Sequence, residues 1–63
     1  MEKRWVKKGI TRVMAQYGRT SNEPISQQDM DTLVEEIFER YHSGEEGTLD
    51  DWLHDVVYGF LTD

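Results

Sequence analysis

Three stretches of this chain repeat apolar residues at the period of an α-helix, and that repetition restricts the fold more than any other feature. Val6, Ile10, Val13, Met14 and Tyr17 fall at i, i+4, i+7, i+8 and i+11, with Trp5 at the margin of their face. Met30, Leu33, Val34, Ile37, Phe38 and Tyr41 give the clearest stripe, at i, i+3, i+4, i+7, i+8 and i+11. Leu49, Trp52, Leu53, Val56, Val57, Phe60 and Leu61 form a third and wider one. No segment alternates apolar and polar residues as a half-buried strand does, and no internal repeat is present. The spacing predicts helices over about residues 3–17, 27–42 and 49–61. The expected fold is all-α: one compact three-helix domain over residues 1–63, with a helical homodimer that shares one core as the alternative.

The flanking residues sharpen these limits. Ser26 and Asp29 have the spacing of a capping box with the shorter acid, and Ile25 and Met30 that of a hydrophobic staple. Thr48 with Asp51 repeats the capping arrangement. Gly18 and Gly44 are placed to end the first and second helices in the left-handed conformation. Gly9 interrupts the first helix at a cost of about 1 kcal/mol relative to alanine. Residues 18–25, GRTSNEPI, read as a connecting loop around Pro24.

Charge divides the chain unevenly. Residues 1–19 hold six of the seven basic groups and one acid, a balance of +5; residues 20–63 set Arg40 against twelve acids, a balance of −11, for a net −6. In the second and third helices the charges suit the macrodipole, with Asp29, Asp31, Asp50 and Asp51 near the starts and Arg40 and His42 near an end. The first helix breaks this rule. Lys3, Arg4, Lys7 and Lys8 crowd its positive end, so they either face the acidic helices and solvent or form a docking patch for an acidic partner.

Several function classes fall away at this stage. A chain of 63 residues buries only about 60% of its unfolded surface, which leaves little room for a catalytic cleft. No enzyme is expected. The absence of cysteine removes disulfides and thiolate zinc sites, and fits a reducing cytoplasm. No apolar run approaches the roughly 20 residues a membrane span needs, and the early basic residues are followed by no apolar segment of a secretory signal. Residues 42–53, HSGEEGTLDDWL, put Gly47 at the glycine position of a calcium loop, but His42, Gly44 and Leu53 then stand where carboxylates are required. His42 and His54 lack partners at metal-ligand spacing, and no serine has a nucleophile's surroundings. Neither metal nor cofactor is expected. Asp50, Asp51 and Asp55 on the last helix argue against sequence-specific DNA reading through it.

Most of the seven aromatics belong to the core. Tyr58 lies instead on the Asp51, Asp55 and Thr62 side of its helix, and tyrosine and tryptophan often anchor interfaces. Lys3, Arg4, Trp5, Lys7, Lys8, Asp51, Asp55 and Tyr58 are therefore the candidate contact residues. LVEEIFERY at residues 33–41 and LDDWLHDVVYGFLTD at residues 49–63 resemble the YqzH-like small proteins of Bacillus-type bacteria. The likeness rests on Asp55, Val56, Val57, Tyr58, Phe60, Leu61 and Thr62 and covers about half the chain. It implies a cytoplasmic bacterial protein and brings no activity or binding residue with it. The expected function is a non-enzymatic protein–protein interaction module. The alternatives are a small acidic inhibitor whose carboxylates stand in for nucleic-acid phosphates, and nucleic-acid binding through the basic first helix.

Overall fold

The computed structural model describes residues 2–18 and 25–62. Its elements are three helices, α1 (Lys3–Gln16), α2 (Gln27–Ser43) and α3 (Leu49–Thr62), and each packs against the other two. Every limit lies within one residue of the expected one. Residues 19–24, most of the expected GRTSNEPI loop, lie outside the described residues.

The three stripes meet in one core. Val6, Ile10, Val13 and Met14 from α1, Leu33, Val34 and Ile37 from α2, and Trp52, Leu53, Val56 and Val57 from α3 are buried. Ile25, Met30, Phe38, Leu49, Phe60 and Leu61 are half-buried against them. Each fully buried aliphatic side chain contributes about 1.5–3 kcal/mol relative to leaving it in water. Among the described residues no polar or charged side chain is buried, so the core needs no internal hydrogen-bond network. Tyr17 and Tyr41 complete their stripes by period but are 44% and 47% exposed. Tyr17 is the C-cap of α1, where the chain leaves the helix, and its ring lies near those of His54 and Tyr58 and not in the core.

Helix ends follow local chemistry. Ser26 Oγ accepts a hydrogen bond from the Asp29 backbone N–H at 3.1 Å. At Thr48 the exchange is reciprocal: its Oγ accepts from the Asp51 N–H at 3.3 Å, and Asp51 Oδ2 accepts from the Thr48 N–H at 3.0 Å. Such a cap is worth about 1 kcal/mol. Gly44, at φ 75°, closes α2. Its N–H donates to the Tyr41 carbonyl while that of Glu45 donates to the Arg40 carbonyl, the paired bonds of a Schellman motif. The short turn into α3 is tied to the core by Trp52, whose indole N–H donates to the Glu46 carbonyl at 3.4 Å.

Gly9 has a packing role that helix propensity does not reveal. A Cβ on Gly9 would stand 2.7 Å from Leu53 Cδ1, so the missing side chain is what admits Leu53 against the α1 backbone. Gly59, inside α3, has nothing within 4 Å of the equivalent position. Gly59→Ala is therefore expected to raise the unfolding free energy by roughly 0.5–1 kcal/mol. Gly9→Ala gains the same propensity but overpacks the seam, a cost of about 1–3 kcal/mol, so its net effect is neutral to destabilising. Urea denaturation of the two variants tests this; equal stabilisation would contradict the close approach of α1 and α3.

Candidate functional site

With the apolar face of α1 consumed by the core, its remaining circumference is left to carry charge. Lys3, Arg4, Lys7 and Lys8 are all exposed. Glu2 precedes α1 without a side-chain cap, and no acid occupies the first turn, so these cations sit beside the positive end of the macrodipole with little compensation. Arg4 pairs with Glu2 at 3.2 Å, both well exposed. Among the described residues Lys3, Lys7 and Lys8 form no ion pair.

Trp5 stands among these cations, 57% exposed. The Arg4 guanidinium carbon lies 5.7 Å from a ring centroid of its indole and the Lys8 ammonium 5.5 Å, both within cation–π range. The result is an apolar plate framed by two positive charges.

The acidic candidates do not gather into one patch. Asp51 is turned into the α3 cap described above. Asp55 is turned toward α2, where it accepts from Arg40, which also reaches Glu45 at 3.5 Å. The hydrogen bond to Asp55 is the main cause of a raised Arg40 pKa, with partial burial opposing it. Tyr58 is 57% exposed and turns the other way, its ring 6.2 Å from that of Tyr17. His54 lies 6.1 Å from the same Tyr17 ring and 3.7 Å from Asp50.

Two contributors escaped the sequence reading. Arg12 crosses from α1 to Asp50 on α3 at 3.2 Å; its position four residues after Lys8 was the available signal. Tyr17 was assigned to the core stripe, but it joins Tyr58 to form a second exposed aromatic patch. Two open surface depressions occur among the described residues: one is lined by Glu36, Glu39, Arg40, Ser43 and Glu45, and another runs between α2 and α3 over Leu33, Val56 and Phe60. Among the described residues no three histidine, aspartate or glutamate side chains converge as a metal site would require, and no helix is long and apolar enough to cross a membrane.

A family model described as YqzH-like protein matches residues 1–63. The match extends through the basic first helix, beyond the two segments on which the sequence resemblance rests. No curated protein and no solved structure matches the chain.

The different settings of Asp51 and Asp55 lead to a salt test. Asp51→Ala removes a backbone cap and should cost about 1 kcal/mol with little dependence on salt. Asp55→Asn removes one side of a solvent-screened ion pair and should cost roughly 0.5–1 kcal/mol in dilute buffer, falling toward zero near 1 M salt. Thermal unfolding of both variants at two salt concentrations checks the assignment; a salt-independent Asp55→Asn would contradict it.

Proposed function

The chain belongs to the YqzH-like family, and from that premise we propose that it acts as a non-enzymatic interaction module that docks a protein partner through exposed aromatics framed by charge. The observation that carries this reading is Trp5, 57% exposed and flanked by Arg4 and Lys8. A large aromatic left half in water contributes little to its own fold, whereas on association it supplies area at low conformational cost. Tyr58 and Tyr17 offer a second such patch on the α1–α3 face. Support for a non-catalytic role comes from a core made wholly of apolar side chains among the described residues and from depressions too open to shield a reacting group. We place the module in the cytoplasm, in keeping with a cysteine-free chain.

A second reading, mimicry of nucleic-acid charge, draws on the exposed row of Asp31, Glu35 and Glu39 along α2. It predicts competition with nucleic acid for a basic partner, and a ternary complex would reject it.

The interaction reading is tested by immobilising the protein and comparing the cellular proteins retained by the wild type, Trp5→Ala, and the Lys7→Glu, Lys8→Glu pair. The expected outcome is a specific partner depleted by each variant, by about tenfold or more for Trp5→Ala, while the thermal midpoint of neither variant falls and that of the charge-reversed pair rises by a few degrees. Retention that ignores all three substitutions would remove the α1 face from the mechanism.

A further inference from the structure

The arrangement along α1 is more specific than its net charge. Arg4, Lys8 and Arg12 lie at i, i+4 and i+8 and so share one ridge. Arg12 is committed to Asp50 on α3, whereas Arg4 and Lys8 are drawn in over the indole of Trp5. Like charges four residues apart repel along a helix, and here they do so beside the positive end of the macrodipole. Residues 25–62 hold ten carboxylates against Arg40, yet of these only Asp50 reaches an α1 cation, Arg4 pairing instead with the adjoining Glu2. The fold thus keeps Arg4 and Lys8 outward, exposed and without a partner from α2 or α3 among the described residues.

We infer that the Arg4–Trp5–Lys8 ridge docks one acidic α-helix of a partner protein. Carboxylates four residues apart on that helix meet the two cations, and an apolar side chain between them covers Trp5. This inference rests on the interaction-module reading and specifies its partner. The periodicity favours a helix, because i, i+4 spacing on one helix is matched by i, i+4 spacing on another. The width of the site favours a narrow occupant. The molecule measures only 19 × 18 Å across its long axis, so an occupant broader than the ridge extends over the acids of α2 and α3, whose repulsion acts within about one screening length, roughly 8 Å at physiological salt. A duplex or an anionic lipid surface would press its charges against those acids; a single helix meets the ridge alone. Single-stranded nucleic acid is the nearest rival, since a base can stack on Trp5.

The test is an NMR titration of the full chain, labelled with nitrogen-15, against a synthetic helical peptide carrying glutamates four residues apart with leucines between them. A scrambled peptide of equal composition, a single-stranded oligonucleotide, duplex DNA and phosphatidylserine vesicles are the comparison probes. The helical peptide is expected to shift the Trp5 indole N–H and the amides of residues 4–12, with affinity falling about tenfold or more on Lys8→Glu or Trp5→Ala and falling as salt is raised. Equal binding of the scrambled peptide, the absence of shifts on α1, or tighter binding of a nucleic acid or the vesicles would each overturn it. A silent peptide titration beside a cellular partner still lost on Trp5→Ala would overturn the acidic helix and leave the interaction module standing.

Discussion

Leu53 lies against the bare backbone of Gly9, and the surface of the protein is arranged around that contact. A side chain at position 9 would displace the Leu53 methyls; without one, Leu53 packs directly on α1 beside Val6, Ile10, Val13 and Val57, all fully buried. The same approach carries Arg12 to Asp50 and the Tyr17 ring to Tyr58 and His54. With one side of α1 fixed to the core, its opposite ridge can only face water. The exposure of Lys3, Arg4, Trp5, Lys7 and Lys8 is thus a consequence of core packing, not a separate property of those residues.

Electrostatics then distinguishes the helices. Acids begin α2 and α3, and Arg40 with His42 ends α2, an arrangement that stabilises both by fractions of a kcal/mol per charge. Around Arg40 the fold also links α2, α3 and their connecting turn through Asp55 and Glu45. No comparable compensation reaches the start of α1, which has neither a side-chain cap nor an acid in its first turn. Where local rules are obeyed in two elements and broken in the third, the exception is where function is best sought.

Much of this was legible in the sequence because it depends on neighbours along the chain. Apolar period located the three helices, Ser26 and Thr48 marked two starts, and Gly44 marked an exit through its left-handed φ. What could not be read was set between helices. Gly9 looked like a plain cost, since its partner Leu53 is far away in sequence. Asp51, Asp55 and Tyr58 share one side of α3 by period. The neighbouring elements separate them: the Thr48 cap takes Asp51, Arg40 takes Asp55, and Tyr17 takes Tyr58. Trp5 was identifiable as marginal to its stripe, but not as a ring held between two cations. The family likeness, read from the second half, proved to span residues 1–63.

The central claim is that the fold leaves Lys3, Lys7 and Lys8 of α1 without an ion pair among the described residues. Its most direct test is the unfolding free energy of the Lys3→Gln, Lys7→Gln double variant, measured in about 0.15 M salt so that the net charge of the chain is largely screened. Glutamine and lysine have nearly equal helix propensity, so the change reports charge. The account predicts a gain of roughly 0.3–1 kcal/mol, from relief of the macrodipole and of like-charge repulsion. A loss of stability would mean that acids of α2 and α3 already neutralise these lysines, and would contradict it.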